Sequence, residues 1–256
     1  MNKGTVSISS NKVDVQFDRG RDWRARIGFI LVPTDGVIEG EMFKLAPPGV
    51  GVNFTRLPGS DDVTVENLLA MENELEDAAS RFVFGKDLSV ICFACTSASA
   101  LIGEKRVNAA LAKGNPYAKP TSLIGGVLQA LRAFKAKKIV ITSPYLDDIN
   151  TLEANYLKSQ GFEILEFQGM NILKDSDIRL VEPKFIKEYT KKIDCEEAEA
   201  IFISCGGLRS IEIIDALEQE VGKPVVTSNQ AMFWNTLRMA GIEDKIEGYG
   251  RLFIEH

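Results

Sequence analysis

Two cysteines stand at the ends of two apolar runs about 110 residues apart, and no other residues of the chain are as well placed for chemistry. Cys95 closes the run Leu88-Ser-Val-Ile-Cys-Phe-Ala-Cys, and Cys205 closes the run Ala200-Ile-Phe-Ile-Ser-Cys. Small residues follow each thiol, so we expect each sulfur to lie among free backbone N–H groups at the start of a helix. Such a loop suits both a thiolate and a bound carboxylate.

Two thiols on opposite sides of a cleft could remove a proton from one face of a carbon and deliver a proton to the other face. That chemistry needs one thiolate, and a free thiol has a pKa of about 8.5, so we expect a helix N-terminus to lower the pKa of the attacking cysteine. The alternative is that the cysteines are merely buried, which we favour for Cys92 and Cys195. The one histidine, His256, excludes Ser-His-Asp and Cys-His catalysis within one chain.

The composition of the chain is that of an ordinary globular protein of one or two domains, with 256 residues, 45% apolar and 26% charged. Its 30 basic residues are dispersed among 36 acidic ones, so we expect neither a nucleic-acid partner nor a membrane partner. Metal-site spacing and nucleotide-binding glycine motifs are absent from the sequence, so we expect no metal and no cofactor. Without a secretory signal or membrane-length run, we expect a cytoplasmic protein with reduced thiols.

Short apolar runs alternate with longer amphipathic stretches, which is the pattern of parallel sheets with helices on their faces. The sequence therefore predicts an α/β protein. We predict strands at 27–32, 51–56, 88–94, 138–142, 163–168, 200–204 and 224–227. We predict helices at 64–84, 97–112, 122–134, 147–160, 183–191, 210–221 and 230–240.

The order of these segments repeats. Ile27-Gly-Phe-Ile-Leu-Val-Pro-Thr-Asp is echoed by Ile139-Val-Ile-Thr-Ser-Pro-Tyr-Leu-Asp, and the first cysteine run is echoed by the second. Chance similarity between generic α/β segments is the alternative to an internal repeat. We predict two similar halves, at 1–135 and 136–241, with the tail at 242–256 packing back on the first half. A pseudo-twofold between them would bring both cysteines to one cleft, at the strand ends where open sheets bind ligands.

Further polar side chains follow predicted strands. Tyr145 stands between a strand and a helix, where its phenol could donate to a substrate oxygen or simply pack. For Asp35 we favour a helix-capping role over a role in the site. Asn171 and Asn229 are loop amides that could bind a carboxylate, although turns also favour asparagine.

Six motifs of the chain occur together in a known family. They are Ile27-Gly-Phe-Ile, Cys95-Thr-Ser-Ala-Ser, Pro144-Tyr-Leu-Asp-Asp, Ser204-Cys-Gly-Gly-Leu, Pro224-Val-Val-Thr-Ser-Asn-Gln-Ala and Gly248-Tyr-Gly-Arg-Leu-Phe. With these motifs the chain resembles the aspartate/glutamate racemase superfamily, and most closely its branch of maleate cis–trans isomerases, arylmalonate decarboxylases and the racemase-like protein of ectoine utilisation. The resemblance spans residues 27–253. It implies two pseudo-symmetric flavodoxin-like halves, each a parallel sheet flanked by helices, with a cofactor-free active site in the cleft between them.

The presence or absence of the two cysteines distinguishes the groups of enzymes within this branch. Racemases and maleate isomerases carry both cysteines, whereas the decarboxylases have glycine at the position of Cys95. The remaining motifs do not all favour the two-cysteine enzymes, since the stretch after Tyr145 and the Gly248 motif are very like those of the decarboxylases. By resemblance, Cys95 and Cys205 form the catalytic pair. The resemblance implies substrate-binding roles for Pro33, Thr34, Thr96, Ser97, Tyr145, Asn171, Gly206 and Gly207.

The residues and the resemblance together predict a cofactor-independent isomerase or racemase of a small carboxylate or dicarboxylate. A first alternative is an arylmalonate-type decarboxylase, in which Cys205 protonates an enediolate. A second alternative is a non-catalytic protein that binds a small acid. The family also makes a homo-oligomer possible.

Overall fold

The structure, a computed structural model, describes residue 10 and residues 13–256, so part of the polar N-terminal segment lies outside it. Eight strands form in the described part of the chain. The first four are β1 (Ala25–Leu31), β2 (Val50–Arg56), β3 (Val90–Phe93) and β4 (Lys119–Ser122). The last four are β5 (Lys138–Ser143), β6 (Glu163–Gly169), β7 (Ala200–Ile203) and β8 (Val225–Thr227).

Helices connect these strands, as the alternating sequence pattern predicts. In the first half they are α1 (Ile38–Leu45), α2 (Val65–Ala70), α3 (Leu75–Ser80), α4 (Thr96–Ile102), α5 (Glu104–Gly114) and α6 (Leu123–Ala133). In the second half and tail they are α7 (Asp147–Ser159), α8 (Asp175–Ile178), α9 (Pro183–Lys192), α10 (Ile214–Val221), α11 (Ser228–Met239) and α12 (Leu252–Glu255). None of the described helices is long and apolar enough to cross a membrane.

The strands form two parallel four-stranded sheets with the same topology. The first sheet has the order β2-β1-β3-β4 and the second has the order β6-β5-β7-β8. Each sheet is therefore built in the flavodoxin-like manner, with the chain leaving the first strand to one side and returning to the other. The predicted α/β class and the pair of similar halves are confirmed.

The central strands are apolar because both of their faces are covered. Every residue of β3 (Val-Ile-Cys-Phe) and β7 (Ala-Ile-Phe-Ile) is buried, whereas the edge strand β6 has no buried residue and alternates in exposure. A strand covered by helices on both faces has no polar side to present, so it reads as a continuous apolar run. This is why the sequence pattern located the two cysteine strands.

Four features of the first half differ from the prediction. The edge strand β4 was not predicted, because Lys-Pro-Thr-Ser is polar and its proline, which has no N–H to donate, is tolerated only where the backbone nitrogen faces no neighbouring strand. The helix predicted at 97–112 is divided at Gly103, whose φ of 91° a helix cannot accommodate. The helix predicted at 64–84 is divided by a 3₁₀ turn and ends at Ser80. Helix α1 was also not predicted.

The two halves meet most closely through equivalent helices, α6 and α11. At Gly126 of α6, an added Cβ would lie 2.9 Å from the Cα of Met232 and 3.0 Å from the carbonyl oxygen of Ala231. The tail contacts both halves. Asp244 pairs with Arg24 of the first half, and the backbone N–H of Arg251 donates to Glu218 of the second. The division near residue 135 stays a prediction.

Replacing Gly126 by alanine is expected to lower the free energy of unfolding by about 1–3 kcal/mol, because the new methyl group meets backbone atoms that cannot move aside without shifting a helix. Urea unfolding measures the change. Gly40→Ala in α1 is the matched control, since a Cβ there meets nothing within 4 Å and alanine favours the helix. Equal stability of the two variants would show that α6 and α11 are not in close contact.

Candidate active site

The two cysteines occupy equivalent positions in the two halves. Cys95 lies just beyond β3, at the residue that precedes α4, and Cys205 lies just beyond β7. Both line a single cleft at the carboxyl ends of the strands, where ligands bind in open α/β sheets. The cleft has a volume of about 490 Å³ including the part open to solvent. A volume of this size suits a small molecule.

Eight of the ten residues that the resemblance implied line this cleft, and they come from both halves. Pro33 and Asn171 are not among the lining residues. Asn171 is exposed, has a φ of 60°, and donates its backbone N–H to the carbonyl oxygen of Tyr145. Asn171 is therefore connected to the cleft only through the backbone of Tyr145. The eight lining residues are Thr34, Cys95, Thr96, Ser97, Tyr145, Cys205, Gly206 and Gly207.

A chain of hydrogen bonds joins the two cysteine loops. Ser228, the first residue of α11, lies with its Oγ 2.9 Å from Thr96 Oγ1 and accepts the backbone N–H of Cys205 at 2.9 Å. All three residues are buried. Cys205 has a φ of 104°, which is costly for a residue with a side chain and persists only where the surroundings enforce it. The hydrogen bonds thus hold Cys205 in a strained conformation that faces the cleft.

Burial keeps both thiols protonated at neutral pH. Burial raises the pKa of Cys95 to about 12, despite opposing hydrogen bonds from the Ala98 N–H and the Ser97 hydroxyl. Burial, followed by the negative charge of Asp175, raises the pKa of Cys205 further, and Tyr145 and the Gly207 N–H offset only part of this. The expected lowering of a thiol pKa by a helix N-terminus is therefore wrong, because desolvation outweighs the N–H donors.

The charged residues of the cleft are acidic. No lysine or arginine is among the lining residues in the described part of the chain, but Asp35 and Asp175 are. Asp175 accepts a hydrogen bond from Thr34 Oγ1 at 2.5 Å, and burial raises its pKa. Burial also raises the pKa of Asp35 to about 6, although the Ile38 N–H donates to it. Asp35 thus accepts a hydrogen bond at the start of α1, as a capping residue does, and also lines the cleft. Hydroxyl and backbone N–H donors would have to hold a bound carboxylate here.

Sequence reasoning missed several residues of this site, among them Asp175 and Ser228. Asp175 carries no local signal, because it stands in a polar loop and reaches the cleft only through the fold. Ser228 lies in the stretch Thr227-Ser-Asn-Gln, where the sequence drew attention to Asn229 instead. Asn229 is wholly buried and is not among the lining residues, and its amide donates to the carbonyl oxygen of Gly206 at 2.8 Å.

The fold has close counterparts among solved structures. A cysteine-to-serine variant of the Nocardia farcinica maleate cis–trans isomerase, with a covalently bound succinylcysteine intermediate, superimposes with a TM-score of 0.83 at 23% identity, covering 91% of this chain and 99% of that one. A liganded double variant of arylmalonate decarboxylase superimposes with a TM-score of 0.83 at 26% identity, covering 91% of this chain and all of that one.

Curated relatives show the same two activities. A maleate isomerase of Pseudomonas putida is 28% identical over 198 residues, covering 74% of this chain and 79% of the relative. The arylmalonate decarboxylase of Bordetella bronchiseptica is 28% identical over 243 residues, covering 90% of this chain and 96% of the relative. The family model described as arylmalonate decarboxylase matches residues 27–253. This confirms the resemblance found in the sequence, while the likeness to the ectoine-utilisation protein stays a prediction. The chain belongs to the arylmalonate decarboxylase family, which includes the maleate isomerases.

Proposed function

We propose that this protein is a cofactor-independent isomerase that converts a small cis-dicarboxylate of the maleate type into its trans isomer through Cys95 and Cys205. One observation carries the proposal: two thiols from equivalent positions of the two halves line one small cleft. A decarboxylase that protonates an enediolate needs only one of them. A relative that is a maleate isomerase supports the same reading.

In this reaction Cys95 is the nucleophile and Cys205 is the acid. Burial raises the pKa of both thiols. The next-largest cause for Cys205 is the negative charge of Asp175, which raises its pKa again, whereas for Cys95 it is a hydrogen bond from the Ala98 N–H, which lowers it. Cys95 is therefore the easier of the two to ionise. Asp175 is the carboxylate that we propose as the acceptor of the Cys95 proton. Asp175 lines the same cleft, and its charge acts on both thiols.

The bond changes balance without an oxidant or a cofactor. The Cys95 thiolate forms a C–S bond to one alkene carbon while the Cys205 proton passes to the other carbon. The former double bond is now single and rotates. The added proton then returns to the Cys205 thiolate, and the electrons of that C–H bond re-form the double bond. The C–S bond breaks at the same time, and its electrons leave on the Cys95 sulfur as a thiolate. We propose that the substrate carboxylates are held by O–H and N–H donors of Tyr145, Thr96, Ser97 and the Gly206-Gly207 backbone, all of which line the cleft.

The second candidate is an arylmalonate-type decarboxylase. It is supported by the family model described as arylmalonate decarboxylase and by the decarboxylase relative, which is 28% identical and covers 90% of this chain. Its product-forming step needs Cys205 as proton donor and leaves Cys95 without a role. A racemase of an amino-acid derivative would also use both thiols, one to remove the α-proton and the other to deliver a proton to the opposite face.

Proton NMR in D2O separates these functions. Incubation of the purified protein with maleate is expected to yield fumarate without loss of carbon. Incubation with phenylmalonate is expected to release no CO2, and single enantiomers of amino-acid derivatives are expected to keep their α-proton. Release of CO2 would establish the decarboxylase, and α-proton exchange would establish the racemase. Ligand-induced thermal stabilisation by these acids without any turnover would instead indicate a binding protein.

We also propose a cytoplasmic location for this protein. All four cysteines are free thiols in the structure, which suits the reducing cytoplasm. We propose a small carboxylate as the only ligand that the reaction requires, and a homo-oligomer as its assembly, which gel filtration with light scattering would test.

A further inference from the structure

A buried carboxyl group of the first half reaches the Cys205 loop of the second half through one amide. Glu41 of α1 is only 7% exposed, and Asn229 of α11 is wholly buried. The Asn229 Nδ2 group donates to Glu41 Oε2 at 2.7 Å and to the carbonyl oxygen of Gly206 at 2.8 Å. Both protons of this amide are therefore engaged, one on each half of the molecule.

The peptide that Asn229 holds is the one that contacts the Cys205 sulfur. The carbonyl of Gly206 and the N–H of Gly207 belong to the same rigid peptide unit. That N–H donates to Cys205 Sγ at 3.3 Å. The orientation of the donor at the sulfur is thus set by the hydrogen bond at the carbonyl oxygen, so Glu41 is linked to the thiol through two hydrogen-bonded groups.

Two acceptors of this pair lack partners. Neither Glu41 Oε1 nor Asn229 Oδ1 accepts a hydrogen bond in the structure. Leaving buried acceptors unpaired costs free energy, and two such atoms in one side-chain pair call for an explanation. A proton on Glu41 Oε1 satisfies both, because a carboxylic acid and a primary amide can form two parallel hydrogen bonds, N–H to Oε2 and O–H to Oδ1.

We propose that Glu41 is protonated in the active enzyme and is a positioning residue that, through Asn229, holds the Gly206-Gly207 peptide against the Cys205 sulfur. The effect on turnover rests on the function proposed above, whereas the protonation does not. Ionisation of Glu41 would remove the O–H donor and leave the negative Glu41 Oε1 facing the partially negative Asn229 Oδ1. This repulsion would weaken the hold of Glu41 on the Asn229 amide.

The charges around Glu41 are consistent with a neutral carboxyl. Desolvation raises its pKa to about 8, with the Asn229 hydrogen bond opposing. Asp35, in the loop before α1, and Glu212, in the 3₁₀ turn at Ile211–Ile213, raise it further, while Lys44 of α1 lowers it. Arg209 lines a surface pocket beside Glu41 but donates to the carbonyl of Val181. The amide of Asn229 supplies the contact from α11.

The test is Glu41→Gln, since a neutral amide can make the same two hydrogen bonds and cannot ionise. We expect the wild-type kcat on maleate to fall about tenfold from about pH 7 to about pH 9, because a group with a pKa near 8 is then one-tenth protonated. Glu41→Gln is expected to keep kcat within about twofold at neutral pH and to lose this alkaline fall. The control Glu212→Gln removes a neighbouring exposed carboxylate and should keep the fall. A tenfold loss in Glu41→Gln at neutral pH would overturn the proposal.

Two further measurements do not depend on turnover. Infrared difference spectra should show a protonated carboxyl band at neutral pH in the wild type that is missing from Glu41→Gln. The rate of Cys205 alkylation by iodoacetamide, followed by mass spectrometry of its peptide, should show an inflection near pH 8 that Glu41→Gln lacks. If maleate is not turned over but both signals appear, the proposed function fails and Glu41 keeps its assignment. Absence of the band, or an inflection that persists in Glu41→Gln, would refute the assignment of Glu41.

Discussion

Replacing either Cys95 or Cys205 by serine is expected to lower kcat on maleate by roughly 10³-fold or more, which is within the range that one general acid or nucleophile contributes. A serine hydroxyl has nearly the size of a thiol but is a far weaker acid and a poorer nucleophile. Because both cysteines lie in the cleft and not within a sheet, the fold is expected to persist in each variant. Fumarate formation followed by NMR measures the loss.

Cys195→Ser is the matched control, since Cys195 is a partly exposed free thiol that is not among the residues lining the cleft. It should retain full activity. The two catalytic variants also distinguish the candidate reactions. If Cys95→Ser keeps CO2 release from an arylmalonate while Cys205→Ser loses it, the decarboxylase is correct. Full isomerase activity in either variant would rule out the two-thiol mechanism.

Replacing Glu153 by glutamine is expected to stabilise the protein in a pH-dependent way. Glu153 of α7 is wholly buried, and neither of its carboxylate oxygens has a hydrogen-bond partner by geometry. Burial raises its pKa from 4.5 to about 7, and the nearby Ser204 hydroxyl opposes only part of this. The native state therefore keeps a proton that the unfolded chain releases above about pH 4.5.

The sign of the effect follows from this difference in bound protons. As pH rises from about 4.5 to about 7, the unfolded state binds fewer protons than the native state, so wild-type stability falls, and above about pH 7 the loss is complete. Glutamine does not titrate. The Glu153→Gln variant should gain on the order of 3 kcal/mol over the wild type at pH 8, relative to its difference at pH 4.

Urea unfolding of both proteins at the two pH values measures the gain. Glu196→Gln, which neutralises an exposed carboxylate, serves as control and should show little change at either pH. An equal difference between Glu153→Gln and the wild type at both pH values would mean that Glu153 titrates normally in the folded protein.

The sequence pattern was reliable where the chemistry is local. The buried strands β1, β3, β5 and β7 were located because strands covered on both faces must be apolar throughout. The repeated order of segments predicted two similar halves. The resemblance implied ten site residues, and the eight that line the cleft each lie within a few residues of a strand end, where the fold presents side chains to the cleft.

Prediction failed where a residue's state depends on distant parts of the chain. The polar edge strand β4 is held by backbone pairing with β3 and not by its own side chains. Asp175 reaches the cleft from a polar loop. Ser228 contacts Thr96, which lies 132 positions earlier in the sequence, and also accepts the N–H of Cys205. Neither contact leaves a local pattern. Asn171, by contrast, has a promising local setting but is turned to the surface.

The sequence by itself determined that two cysteines stand at equivalent strand ends of a repeated α/β unit, because strand periodicity and the lack of other suitable acids and bases are properties of the residues alone. Only the tertiary structure decided that both thiols lie in one cleft and that they are protonated there. The physical reason is desolvation: a thiol pKa depends on how much water and how many charges surround the sulfur, and that environment is assembled from both halves.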